Sequence, residues 1–99
     1  LSIGPVLLQP RSRGSITVTS TDPLAAPVIE PNYLSDPDGV DRATLRRGLE
    51  IAQSMFDTAI MRERTNERYI APRGGERLGA DERIDASLEH LSHTLYHPT

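Results

Sequence analysis

The stretch that decides the fold is PRSRGSITVTSTDPLAAPVIEPNYL, residues 10–34. Over residues 16–19, isoleucine and valine alternate with threonine, a pattern of β-branched residues that favours a half-buried strand. Prolines between residues 23 and 31 then exclude a helix, and the Val28-Ile29 pair predicts a short edge strand. This stretch therefore predicts extended chain.

A second strand is predicted upstream. The apolar run VLL at residues 6–8 lies between Pro5 and Pro10 and suits a buried strand. Pro10 and Gly14 mark a turn after it, so we expect a hairpin that joins residues 6–8 to residues 16–18. We also expect Gly14 to occupy a turn position in which a side chain is costly.

Beyond residue 34 the pattern changes to helices. Apolar residues at a 4-3-4-3 spacing over residues 45–59 predict a first helix, capped by Asp38 with Asp41 in its first turn. A 4-3-4 spacing over residues 84–95 predicts a second helix, capped by Asp81. We therefore predict an α+β fold, an antiparallel sheet with two helices packed against it. The side chains expected to face the sheet are Leu45, Leu49, Ala52, Phe56, Ile84, Leu88, Leu91 and Leu95.

Composition excludes several classes of protein. The 99 residues make one domain, and the absence of cysteine excludes disulfides and cysteine-bound zinc. No apolar run approaches the ~20 residues that a membrane helix needs. The net charge of −3 gives no reason to expect nucleic acid. We expect no membrane span and no nucleic-acid partner, and a cytoplasmic location is favoured.

The apolar content is low for a self-sufficient domain. Only 36% of the residues are hydrophobic, and the chain has a single Phe and no Trp. Two interpretations follow: a loop-rich small domain, or part of a larger domain whose core is completed elsewhere. The first residue, Leu1, is not methionine, which suggests a cropped or processed chain.

The chain ends with HTLYHPT, which holds two of its three histidines. On a continuous helix, His90, His93 and His97 would share a face and could bind zinc. Pro98 argues against this site, because the residue before a proline is pushed out of helical geometry. We therefore expect no metal site. Whether His97 is a terminal residue without a task or a base held by the following proline stays open on this evidence alone.

The order of landmarks along the chain resembles the glucose–methanol–choline (GMC) family of flavin oxidoreductases, from the start of its substrate-binding domain. In that family a helix, a variable loop and a second helix leading into Tyr-His-Pro follow. The matching landmarks here are Pro10, Ser12-Arg13-Gly14, Ile16, Val18, Ser20, Asp22-Pro23, Pro27, Ile29, Asn32-Tyr33-Leu34 and Tyr96-His97-Pro98. The resemblance spans essentially the whole chain.

The resemblance implies a function. His97 would face the flavin and act as the catalytic base, or as a hydrogen-bond partner, while an FAD-dependent oxidoreductase oxidises the CH–OH group of a small alcohol. The family's Gly-rich flavin-binding segment is absent, and Gly74, Gly75 and Gly79 lack the dinucleotide spacing. The family's second active-site histidine or asparagine is also absent. Residues 1–99 are thus expected to be a partial substrate-binding domain of a flavoprotein, inactive alone, whose partner is the flavin-binding domain of the same protein.

Two alternatives remain. The chain could be a stand-alone, non-catalytic binding or interaction module that kept the shape of the domain. Within the family resemblance, the reaction could be that of an oxidase, a dehydrogenase or a lyase.

Overall fold

The structure is a computed structural model that describes residues 3–65 and 77–91, without the side chain of Leu91. In chain order, the elements in these ranges are β1 (Ser15–Thr17), β2 (Val28–Glu30), α1 (Val40–Phe56), α2 (Ala59–Arg64) and α3 (Ala80–Leu91). The predicted α+β class is confirmed at this level, with the short α2 as an additional helix.

The sheet has a different pairing from the one predicted. β1 pairs with β2 in antiparallel register, with Ile16 opposite Ile29. Residues 6–8 form no strand, so the expected hairpin between them and residues 16–18 is wrong. Pro5 instead lies close to Gly48 of α1. The flanking prolines have no N–H to donate at either end of the run, and Val6 and Leu8 stay 55% and 72% exposed.

The two strands lie where the β-branched residues predicted them. The predicted half-burial is not observed. All six strand residues are exposed. Within the described ranges, therefore, the helices do not bury the sheet. A long connection, residues 18–27, joins the two strands and turns at Asp22, whose side chain accepts a hydrogen bond from the backbone N–H of Leu24 at 2.9 Å.

Gly14 lies just before β1, close to the backbone of Glu30 and Pro31 at the end of β2. A Cβ atom at Gly14 would collide with the carbonyl oxygen of Glu30 and would lie 2.7 Å from that of Pro31. The expectation that a side chain is costly here is confirmed. Its cause is close approach of two backbones, since the φ angle of Gly14 is not in the left-handed region.

Replacing Gly14 by alanine should therefore force the two segments apart. We expect Gly14→Ala to lower the free energy of unfolding by about 1–3 kcal/mol, measured by urea unfolding of the full-length protein. Gly4→Ala is the matched control, because no atom lies within 4 Å of a Cβ at Gly4. Equal stability of the two variants would contradict the close approach of the two backbones at Gly14.

α1 begins differently from the prediction. Its first residue is preceded by Gly39 in the left-handed conformation, φ 65°, which glycine adopts without steric cost. The side chain of Asp36 accepts hydrogen bonds from the backbone N–H groups of Val40 at 2.6 Å and Asp41 at 3.3 Å. Asp36, and not the exposed Asp38, therefore caps the helix.

α3 also begins two residues earlier than a helix capped by Asp81 would. Because Ala80 is its first residue, Asp81 lies inside the first turn and is not the cap. Glu82 instead reaches back and accepts a hydrogen bond from the backbone N–H of Gly79 at 2.9 Å. This is the backward half of a capping box, in which a third-position glutamate satisfies a donor before the helix.

The core lies between helices. α1 contacts α3, and the buried apolar side chains of the described chain, Ala52, Ile84 and Leu88, belong to these two helices. Three of the eight predicted residues are therefore buried, but they face the other helix and not the sheet. The side chain of Leu91 and residue Leu95 lie outside the described residues. Phe56 is half-buried, and Leu45 and Leu49 are too. Ala59 was expected in the same stripe, but a break at residues 57–58 places it, exposed, at the start of α2.

No helix in the described part of the chain is long and apolar enough to cross a membrane.

Candidate functional site

A buried carboxylate joins the sheet to the helices. Asp41 is only 2% exposed. Its carboxylate accepts hydrogen bonds from the backbone N–H of Arg11 at 2.8 Å, the backbone N–H of Ser12 at 2.8 Å and the Ser12 hydroxyl at 2.6 Å. The Ser12 oxygen in turn accepts from the backbone N–H groups of Ser35 at 3.0 Å and Asp36 at 3.2 Å. We call this cluster the Ser12–Asp41 junction.

The environment of Asp41 keeps it ionised. Burial alone would raise the pKa of its carboxyl group. The hydrogen bonds from Arg11 and Ser12, together with the nearby Arg11 charge, outweigh burial and hold the pKa below the ordinary value of 3.8. At neutral pH the junction therefore contains a buried carboxylate whose charge is balanced by donors and not by a buried cation.

The turn after β2 is held on the other side of the same junction. Asn32 and Leu34 both have positive φ angles, 48° and 59°. The left-handed conformation is tolerated by asparagine but strained for leucine. The side-chain amide of Asn32 donates to the carbonyl of Arg13 at 3.4 Å, which ties the turn to the loop before β1. The Ser-Arg-Gly and Asn-Tyr-Leu landmarks thus lie together in space.

A second feature is the apolar sheet surface, formed by Ile16, Val18 and Ile29; Leu24, in the connection between the strands, is a further exposed apolar residue. Ile16 and Ile29 are register partners and so project from the same side of the sheet. They are 71% and 62% exposed, and Leu24 is 91% exposed. The described chain therefore leaves this side of the sheet uncovered. The expectation that a missing domain docks on an exposed apolar patch stays a prediction.

A third feature is the α1–α3 ion-pair ladder, formed by Arg42, Arg46, Asp81, Asp85 and Glu89. Arg46 contacts Asp81 at 2.6 Å and Asp85 at 3.0 Å, and Arg42 contacts Asp85 at 3.3 Å and Glu89 at 3.4 Å. All five side chains are partly exposed, so each pair contributes only about 0.2–1 kcal/mol to stability. The ladder shows that α1 and α3 run antiparallel.

The predicted catalytic residue, His97, lies outside the described residues, as do His93, Leu95 and the rest of the Tyr-His-Pro element. His90 is exposed in the last turn of α3. Within residues 3–65 and 77–91, no three histidine, cysteine or acidic side chains are grouped so that they could hold a metal ion. The three-histidine alternative includes residues beyond these ranges and stays untested.

The described strand-to-helix connection does not fit a dinucleotide cofactor. Phosphate-binding turns need several glycines and a helix N-terminus free of negative charge. Residues 31–39, which lead from β2 to α1, contain one glycine, Gly39, and two acidic residues, Asp36 and Asp38, and the first turn of α1 adds Asp41. Their charge would repel a phosphate.

Comparison with known proteins identifies the class. A family model described as GMC oxidoreductase, representing the C-terminal domain, matches residues 10–99. The chain belongs to the GMC oxidoreductase family, as the landmark order indicated.

The relatives include enzymes with named activities. An uncharacterized GMC-type oxidoreductase of Mycobacterium bovis is 44% identical over 96% of this chain. An alcohol dehydrogenase [acceptor] of Pseudomonas putida is 38% identical over 92% of it, and an oxygen-dependent choline dehydrogenase of Sinorhizobium fredii is 36% identical over 89%. The matches cover 18%, 16% and 15% of these relatives, so the chain spans less than a fifth of their length. No solved structure matches the chain.

Proposed function

We propose that the chain is part of the substrate-binding domain of an FAD-dependent oxidoreductase that oxidises the CH–OH group of a small alcohol. The observation that carries the proposal is the family match over residues 10–99, which includes the Tyr96-His97-Pro98 element. The alcohol and choline dehydrogenase names of relatives support the same class of reaction. FAD belongs to the proposal as a cofactor held by another part of the full-length protein.

His97 is the proposed catalytic base. Oxidation of an alcohol removes a hydride from carbon and a proton from the hydroxyl group, and a base must take that proton. Imidazole suits this task because its ordinary pKa is close to the pH at which enzymes work. His97 follows Leu91, the last residue of α3, by six positions, so the helix pair is the nearest described support for it.

The partner of this unit is proposed to be the flavin-binding domain of the same polypeptide. The apolar sheet surface supports this assignment, since Ile16 and Ile29 are left exposed by the described chain. The short span relative to the relatives supports it as well. A stand-alone module would instead be expected to cover these side chains itself. A cytoplasmic location and inactivity of the isolated chain stay predictions.

The proposal is tested on the full-length protein, purified with its bound cofactor. Under anaerobic conditions, a primary alcohol or choline should bleach the flavin absorbance, and the matching aldehyde should form in equal amount. The corresponding ether, which has no hydroxyl proton to lose, is the control substrate and should leave the flavin oxidised. A protein that binds no flavin, or whose flavin no alcohol reduces, would contradict the proposed function.

A further inference from the structure

The ion-pair ladder is built with matched spacing on both helices. The carboxylates Asp81, Asp85 and Glu89 follow one another at intervals of four residues along α3. The arginines, Arg42 and Arg46, have the same interval on α1, and each arginine contacts two successive carboxylates. Residues four apart lie on the same face of a helix, so the ladder is one continuous row across the interface.

The apolar contact between these helices is only partly buried. Ala52 of α1 and Ile84 and Leu88 of α3 are buried, whereas Leu45, Leu49 and Phe56 of α1 stay half-buried. Because the larger side chains of α1 are only half-buried, the apolar contact leaves part of the helix alignment to other contacts. The partly exposed ion pairs add little stability, but charge pairs across a helix interface can set register and orientation.

Arg46 is the central member of the row. Its guanidinium group contacts Asp81 at 2.6 Å and Asp85 at 3.0 Å through different nitrogens, and its Nε lies 3.6 Å from Glu50 on its own helix. Arginine presents its donors in a rigid, planar fork, so one side chain can fix two successive turns of a facing helix. The neighbouring Arg47 pairs with Glu50 and makes no ion pair to α3 in the described part of the chain.

We propose that Arg46 is a positioning residue for the reaction: through Asp81 and Asp85 it fixes the alignment of α3 on α1, and so the place from which the chain continues to His97. This inference rests on the proposed function. It adds that the ladder serves alignment more than stability. A sliding or rotation of α3 by a fraction of a turn would displace its last residue by more than the ~1 Å that catalytic groups tolerate.

The test is single-turnover flavin reduction by an alcohol in the full-length holoenzyme, under anaerobic conditions. We expect Arg46→Met, which keeps the aliphatic stem, to lower the limiting rate of reduction ~10–10²-fold, the usual effect of a small misplacement. The dissociation constant for the alcohol and the flavin content should stay as in the wild type. Arg46→Lys should recover only part of the rate, because it keeps the charge but not the planar fork that contacts both carboxylates. Arg47→Met is the matched control and should reduce at the wild-type rate.

A second measurement does not depend on the folding of any variant. Exposed ion pairs are screened as the Debye length falls from ~10 Å at 0.1 M salt to ~3 Å at 1 M. The limiting rate of the wild type should therefore fall with added sodium chloride. In Arg46→Met, which lacks the charge, the dependence on salt should be weaker.

Two outcomes separate this inference from the function on which it rests. If His97→Ala measured in parallel keeps the wild-type rate, the proposed function fails. If His97→Ala is slow while Arg46→Met reduces as fast as Arg47→Met, and the wild-type rate is independent of salt, the positioning role alone is overturned.

Discussion

Replacing His97 by alanine in the full-length enzyme should lower the rate of flavin reduction ~10²–10⁴-fold, the usual contribution of one general base. Flavin binding should be retained, because the cofactor is proposed to be held by another part of the full-length protein and His97 is proposed to act on the substrate. The loss should appear in the limiting rate and much less in the apparent affinity for the alcohol, as expected for a group that acts in the transition state. The measurement is anaerobic stopped-flow reduction with a primary alcohol.

His93→Ala is the matched control, a second histidine four residues earlier in the same terminal stretch. The proposal gives His93 no part in the reaction, so this variant should reduce the flavin at the wild-type rate. Equal losses in both variants would indicate that the terminal segment is needed only for folding. Reduction of the His97→Ala flavin at the wild-type rate would remove the catalytic assignment.

The largest effect on stability is expected at Asp41. Asp41→Asn keeps the size of the side chain but replaces an acceptor by a group that also donates, opposite the N–H groups of Arg11 and Ser12. Hydrogen bonds to a charged group contribute about 1.5–3 kcal/mol each, and neighbouring bonds are not additive. We expect the free energy of unfolding to fall by about 2–4 kcal/mol in urea unfolding of the full-length protein.

Asp38→Asn provides the control for this variant, since it lies three residues away and is exposed. Its contact with Arg11 is a surface ion pair at 3.4 Å, so its loss should change stability by about 0–1 kcal/mol. If the two variants lost similar amounts of unfolding free energy, the Ser12–Asp41 junction would not be the contact that joins the sheet to the helices.

The stability that Asp41 contributes should depend on pH in one direction. The pKa of Asp41 is lower in the folded chain than its ordinary value of 3.8. Folding then favours the ionised form, so the contribution is fully present above pH ~4 and is lost as the pH falls through the lower, folded pKa. The difference in unfolding free energy between wild type and Asp41→Asn should accordingly be constant at neutral pH and shrink in this acidic range.

Much of the secondary structure could be predicted because it depends on local patterns. The β-branched alternation located β1, and the 4-3-4 spacing located α1 and α3 with their buried residues. The errors concern what these elements pack against. The apolar composition of residues 6–8 predicts a strand, but composition alone does not show whether another strand pairs with the run. The apolar stripes revealed which faces are buried and could not reveal that each faces another helix.

The contacts at the candidate site were harder to predict because they join distant residues. Asp41 was interpreted as a charge that favours a helix N-terminus, which is a local rule. Its actual partners, Arg11 and Ser12, lie about thirty residues upstream, and no spacing rule connects them. The ion-pair ladder could not be predicted for the same reason. In the sequence, each of its charged residues fits the solvent-facing side of its own helix. The family resemblance, by contrast, depended on the order of landmarks and needed no contacts.

The measurement that tests the central claim most directly is the pH dependence of flavin reduction in the wild type and in His97→Ala. With a primary alcohol as substrate, the wild-type rate should rise with pH and then level off, because only neutral imidazole accepts the proton. In His97→Ala the rate should be low and this rise should be gone. The same rise in both proteins would contradict the account, since another group would then be the base.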